Sequence, residues 1–274
     1  MNSLKNNSLD FLLTFLSDHK NIFIHTDILR AVNFKFEKSS FLKNHFEFLF
    51  KNLKDSNLIF PSFNYDFLKN RVYDIESDII EVGVLNEFIR LNYSKFRSST
   101  PVFNFISIDK PIGFTDQNTS LVDPFDKSSI FHYLYESNSA YFHYGSNFST
   151  TTLIHYAESM TTNLIYRYVK RFNGEVKFKD RESSVCLSYH VRPANLYQEY
   201  DWAKIQSDLN KHGFLFKFMS GRTELIAFKV KTVVDFWLKA LKTDPLYFLN
   251  DESRINVLKK INFENTKLKL NDFE

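Results

Sequence analysis

The sequence predicts an α/β fold, a layered sandwich with a β-rich C-terminal portion, and three observations carry that prediction. Short apolar segments alternate with amphipathic segments at helical spacing as far as about Glu158. Beyond them, Asn173-Gly174 separates two alternating stretches, a two-residue hairpin pattern. Finally, 43% hydrophobic residues, 31 Phe and only six Gly and six Pro among 274 residues describe a chain able to fill a large interior. One elaborated domain over 1–274 is expected, with a subdivision near 160–195 left open.

The elements follow in order. Leu9, Leu12, Leu13 and Leu16 share one helical face, so a helix is expected from about Ser3 to Asp18. Asn21 to His25 reads as a buried strand, and Thr26-Asp27 as the cap of a helix running toward Ala31. Ser40 to Leu53 repeats the helical pattern and Asn57 to Pro61 the strand, which ends in the loop Ser62-Phe63-Asn64-Tyr65. Val84 to Leu91 is helical, Val102 to Ile108 extended, Ser128 to Glu136 helical, Ala140 to Tyr144 extended and Ser149 to Glu158 helical. The hairpin is expected to pair Ile165 to Arg171 with Glu175 to Lys179. Strand Val185 to Val191, helix Asp201 to Lys211, two strands around Gly221-Arg222, helix Thr232 to Leu241 and a polar tail complete the chain.

Composition excludes several function classes. Cys186 is the only cysteine, so neither an intramolecular disulfide nor a multi-cysteine zinc site is available, and a reducing cytoplasm is expected. The spacing of His25, His132, His143, His190 and His212 does not suggest zinc, so no metal is expected. No run approaches about 18 apolar residues, so no membrane span is expected. With 35 basic against 32 acidic side chains scattered along the chain, the net charge of +3 offers no track for nucleic acid.

Chemistry concentrates after the strand ending at Tyr144. That strand runs through Gly145-Ser146-Asn147 into a helix beginning near Ser149, and in open α/β sheets ligands bind at such strand ends. Thr151, Thr152, His155 and Glu158 form one polar stripe beside Leu153, Ile154 and Ala157. A histidine so placed is more often hydrogen-bonded packing than a catalyst.

The run Ser149-Thr150-Thr151-Thr152-Leu153-Ile154-His155-Tyr156-Ala157-Glu158 resembles the Thr-Leu-x-His-x-Ala-Glu signature of the aminoglycoside 3-N-acetyltransferase family. Other pieces fall in the same order. Ile22 to Asp27 resembles that family's first strand and His-Ser turn, and Phe60-Pro61-Ser62-Phe63 its Pro-Thr-Phe loop. Gly83 to Arg90, followed by Arg97-Ser98 and Pro101, resembles its helix and Arg-Ser-x-His-Pro-x-x-Ser segment. Pro124-Phe125, Leu134-Tyr135-Glu136, Asp201-Trp202 and Val233 to Phe236 carry the likeness nearly to the end. The chain departs at Thr100 and Asn104, where the family has His and Ser, and at Thr26, which keeps the hydroxyl.

The resemblance implies a central mixed sheet flanked by helices, the antibiotic N-acetyltransferase-like fold. It also implies acetyl-CoA, or another acyl-CoA, as co-substrate and an amine as acceptor. His155 would then be the general base, with an acidic partner fixing its tautomer. Three carboxylates compete for that role: Glu158, one turn along the helix; Glu199, which the sequence reading favours; and Asp201, which reads equally as a helix N-cap. Thr152 and backbone N–H groups near Thr151 are the candidate donors to a developing oxyanion. CoA contacts are assigned by resemblance to His25, Thr26, Ser62, Phe63, Arg97, Ser98 and Thr151. Direct transfer is preferred to an acyl intermediate on Cys186.

For the acceptor, the mildly basic balance fits an amino sugar with an anionic nucleotide or glycan part, as in surface-polysaccharide precursors, better than a polycationic aminoglycoside. An aminoglycoside-modifying enzyme conferring antibiotic resistance and a non-catalytic sugar- or protein-binding relative are the alternatives. A homodimer is left open.

Overall fold

The computed structural model describes residues 8–30, 40–116, 120–162, 164–221 and 223–264, the side chains of 262–264 excepted. A first helix, α1 (Leu9–Ser17), is capped by Ser8, whose hydroxyl accepts from the Phe11 N–H at 3.1 Å. It leads into β1 (Asn21–Thr26), then α2 (Phe41–Asn52) and β2 (Asn57–Pro61). Next come α3 (Phe67–Asn70), β3 (Val72–Asp74), α4 (Val84–Asn92), β4 (Phe96–Arg97), β5 (Phe105–Ser107) and β6 (Leu121–Val122). The central stretch holds α5 (Ile130–Glu136), β7 (Ser139–Tyr144) and α6 (Leu153–Met160). A long pair, β8 (Tyr168–Phe178) and β9 (Arg181–Val191), precedes α7 (Trp202–Lys211), β10 (Phe216–Ser220), β11 (Thr223–Lys229), α8 (Val230–Thr243) and α9 (Asp251–Glu264).

Seven strands form the main sheet in the order β10-β11-β7-β1-β2-β5-β4. Its centre, β7-β1-β2, is parallel, and both edges are added antiparallel, so the sheet is mixed. Strands β1 and β7 are buried at every position, as expected of parallel strands covered on both faces. Alternation divides their side chains between two cores: Phe23 and Tyr141 enter one, while Ile22, Ile24, Ala140, Phe142 and Tyr144 enter the other. This is the predicted α/β sandwich.

A second sheet, β3-β8-β9-β6, lies beside it. Here the hairpin expectation is corrected. Strand β8 runs straight through Asn173-Gly174, which pair with Cys186 and Val185, and the chain reverses at Lys179 and Asp180 instead, with Lys179 at φ 55°. Gly174 is present for room rather than for turning. A Cβ there would sit 2.3 Å from the Arg71 carbonyl oxygen and 2.8 Å from the Phe67 ring, where the end of α3 leads into β3 alongside β8. Gly174→Ala is therefore expected to lower the unfolding free energy by about 1–3 kcal/mol, read from chemical denaturation midpoints. An unchanged midpoint would contradict that close approach.

Other differences are local. Extended pairing covers only Phe105–Ser107 of the stretch from Val102 to Ile108, because Val102 takes φ 65° and bridges to Asn64. The expected helix from Ser149 to Glu158 is broken: a 3₁₀ turn over Phe148–Thr150 precedes α6. Helix α9 stands where a polar tail was expected. The helix expected from Thr26-Asp27 toward Ala31 is not formed over residues 28–30, which make a turn; Ala31, the start of the first helix and Arg222 lie outside the described residues. No helix among the described residues is long and apolar enough to cross a membrane, and no group of three or more His, Cys, Asp or Glu there is placed to hold a metal ion.

Candidate active site

One turn links the end of β7 to the helix that carries His155. Gly145 sits at φ 81°, a left-handed conformation that a side chain disfavours, and bridges to Thr26 at the end of β1. Asn147 Oδ1 accepts from the Ser149 N–H at 2.9 Å and starts the 3₁₀ turn. The Thr152 N–H donates to the Tyr141 hydroxyl at 3.1 Å, and α6 follows from Leu153. Leu153, Ile154, Tyr156 and Ala157 are buried, whereas the His155 side chain stays 29% exposed.

The imidazole is tied to the carboxylate one turn along. His155 Nδ1 lies 2.9 Å from Glu158 Oε2. Glu158 is buried, and its Oε1 accepts from the Tyr166 hydroxyl at 2.6 Å, the Tyr200 hydroxyl at 2.6 Å and Arg167 Nε at 3.1 Å. Arg167 Nε also lies 3.0 Å from Oε2, and its Nη2 donates to the Tyr200 hydroxyl. Burial alone would push the Glu158 carboxyl up, but the Arg167 charge and the bond from His155 outweigh it and hold the group down to about 2.

For His155, burial is the largest influence and lowers the imidazole below its ordinary value, with the positive charges of Arg167 and Arg192 adding to it and Glu158 opposing it. At neutral pH the pair is thus a neutral imidazole beside an ionised carboxylate. An ionised carboxylate only accepts, so Nδ1 carries the proton and Nε2 is left with a free lone pair for a base's work.

Three chain segments converge here. Residues 166–167 precede β8, and Gln198 Nε2 donates to the Tyr166 carbonyl at 2.7 Å. Tyr200, just before α7, bridges to Leu249 and meets Phe248 edge-on. Helix α9 supports that segment, since Ser253 Oγ accepts from the Glu199 N–H at 2.7 Å.

The carboxylate favoured in the sequence reading lies elsewhere. Glu199 is half exposed and pairs with Arg192 at 3.4 Å, while Asp201 caps α7 by accepting from the Lys204 N–H at 2.9 Å. Glu158, the local candidate, is the one that touches the imidazole, because residues at i and i+3 are neighbours on a helix surface. Tyr166, Arg167 and Tyr200 were not anticipated; their distance along the chain from Glu158 leaves no periodic signal.

The remaining candidates fall into two groups. His25, Phe63 and Thr151 gather near the strand ends: His25 lies 5.3 Å from the Tyr141 ring, 6.2 Å from Phe63 and 5.8 Å from His143, whose Nε2 is 2.9 Å from Thr151 Oγ1. Burial lowers the His25 imidazole to about 3, so it is neutral, and its Nε2 is buried without a hydrogen-bond partner among the described residues. Thr26 donates to Asn86 Oδ1 at 2.8 Å. The Thr152 hydroxyl makes a long contact of 3.4 Å to the Thr150 carbonyl, and the Thr151 N–H donates to the Phe148 carbonyl.

Ser62 and Arg97 instead form a polar knot with Asn104, with Ser98 bonded to the neighbouring strand. Ser62 donates to Asn104 Oδ1, and Arg97 donates to the carbonyls of Ile75, Asp78 and Ser62 while lying over the Tyr73 ring. Ser98 Oγ accepts from the Phe105 N–H, and its carbonyl from Tyr73. Arg97 also lines a cavity of about 830 Å³ between α4, β4 and the β8–β9 hairpin, whose walls do not include His155.

Comparison with known proteins follows this geometry. The family model described as aminoglycoside 3-N-acetyltransferase matches residues 53–242. No curated protein sequence gives a significant match. Among solved structures, AAC-IIIb in binary complex with CoASH superposes with a TM-score of 0.68 at 17% identity, covering 85% of this chain and 96% of that one. AAC-VIa bound to sisomicin gives 0.62 at 13% identity, covering 85% and 97%. The YokD protein from Bacillus subtilis gives 0.62 at 12% identity, covering 85% and 94%.

Proposed function

From the premise that this chain belongs to the aminoglycoside 3-N-acetyltransferase family and is an N-acetyltransferase, we propose that it acetylates the amine of an amino sugar with His155 as general base. The observation that carries the reading is the neutral, partly exposed imidazole whose Nδ1 is held by a buried, ionised Glu158. Acetyl-CoA supplies the acyl carbonyl. The residues at the strand ends fit such a ligand, since the buried Nε2 of His25 lacks a partner among the described residues and a hydrogen bond there would satisfy it.

His155 Nε2 takes a proton from the acceptor amine as the new N–C bond forms. The imidazolium so created is stabilised by Glu158, and it returns the proton to the departing thiolate as the C–S bond breaks. Holding Nδ1–H against a carboxylate that is itself fixed by three other donors keeps the ring in one tautomer and one orientation.

Around this imidazole the charges are not those of a polycation site. Arg167 and Arg192 both act on it, and Glu158 is buried and matched by Arg167. With the net charge of +3, this favours an amino sugar whose nucleotide or glycan portion is anionic. An aminoglycoside acceptor is the second reading, favoured by the family description and by the sisomicin-bound neighbour. Purified protein incubated with acetyl-CoA and panels of nucleotide-linked amino sugars and aminoglycosides separates the two. Release of free CoA thiol with the anionic sugars is the expected result, and turnover confined to aminoglycosides would overturn the preference.

A further inference from the structure

Arg167 does more at this site than fill space. Its guanidinium is buried, lies 3.0–3.1 Å from both Glu158 oxygens, bonds the Tyr200 hydroxyl and reaches the His190 carbonyl. Removing water from a carboxylate and a guanidinium together is costly, so a pair kept at this depth needs a reason beyond stability. The geometry supplies one. Without Arg167, a buried Glu158 held only by the neutral Tyr166 and Tyr200 hydroxyls and by His155 would have no cation touching it and would draw a proton onto that ring. The imidazole would then be an ion pair partner and no longer a base.

We propose that Arg167 is a positioning residue for the transfer, locking the Glu158 carboxylate against His155 Nδ1 and cancelling its charge so that the imidazole remains a base. This rests on the reading of His155 given above. The titratable and charged groups acting on the ring are Glu158 on its own helix, Arg167 before β8, Arg192 after the end of β9 and Tyr200 before α7, while Tyr166 and His190 act on the Glu158–Arg167 pair behind it. Arg167 and Arg192 are the cations that oppose protonation there, and Arg167 alone touches the carboxylate.

The sign follows directly. Acetylation by this route needs the neutral ring, so activity falls on the acid side as His155 gains its proton. Burial and Arg167 lower that pKa, so the acid limb of kcat/KM in the unaltered enzyme should lie below the ordinary histidine value of 6.5. Arg167→Met should move the limb up by about 1 pH unit or more, whereas Arg167→Lys, which keeps the charge, should restore it toward the unaltered position.

A uniform drop in kcat/KM with an unmoved limb in Arg167→Met would overturn the proposal, leaving Arg167 merely structural. Should Arg167→Met fail to fold, Arg167→Gln, which keeps hydrogen-bond donors but not the charge, takes its place: the same upward movement of the limb is expected, and an unmoved limb overturns the proposal. His155→Ala measured alongside separates the two levels, because full activity in that variant removes the base assignment itself, whereas its loss with an unmoved Arg167→Met limb removes only the role of Arg167.

Discussion

Replacing His155 by Ala is expected to lower kcat by about two to four orders of magnitude while leaving the fold intact, measured by single-turnover thiol release together with a thermal melt. The activity loss follows from removing the proton acceptor. The intact fold follows from the partial exposure of the side chain and from the donors that remain on Glu158: Tyr166, Arg167 and Tyr200. A non-catalytic relative that only binds sugar would be indifferent to the change, so turnover near that of the unaltered enzyme would remove the catalytic reading.

The second large effect is at Glu158, where activity and stability separate by substitution. Glu158→Gln keeps the volume but turns part of an acceptor-only group into a donor among donors, so His155 Nδ1–H loses its fixed partner. A loss in kcat on the order of 10²–10⁴ is expected, the range associated with a misoriented or wrongly tautomerised base. Glu158→Ala goes further, leaving Arg167 as a buried charge without its carboxylate. Its cost is expected to be about 3–5 kcal/mol of stability, read from denaturant unfolding. Glu199→Gln serves as the contrast: Glu199 is half exposed and meets Arg192, so turnover should be unchanged. Equal losses at the two positions would return Glu199 to the site.

Much of this arrangement was legible before any coordinates. The central strands could be read because β1, β2 and β7 are short, apolar and bounded by turn residues, and their limits agree with expectation to within a residue. Thr151, Thr152 and His155 could be placed after a strand end because the segment following Tyr144 turns at once into a helix, whereas His25 and Phe63 were assigned by resemblance. What failed did so where distant contacts override local pattern. Asn173-Gly174 has the composition of a turn, but the Arg71 backbone pressed against it demands a residue without a side chain inside a strand. Val102 adopts a left-handed conformation that no β-branched residue advertises.

The partner of His155 was misjudged for the same reason. Local helix geometry permits an i, i+3 contact but does not require it. The lean of Glu158 toward the ring is set by Tyr166, Arg167 and Tyr200, which arrive from other segments, with Tyr200 seated by residues near 248–249. Those segments depend in turn on α9, whose polar sequence carries little amphipathic signal.

The most direct test of the account is the protonation pattern of the His155 ring in the free enzyme, read by ¹⁵N NMR of histidine-labelled protein near pH 7.5 and assigned by loss of the signals in His155→Ala. The expected spectrum is a neutral ring with its proton on Nδ1, donated to Glu158, and Nε2 bare. A ring protonated on both nitrogens, or one carrying its proton on Nε2, would contradict it.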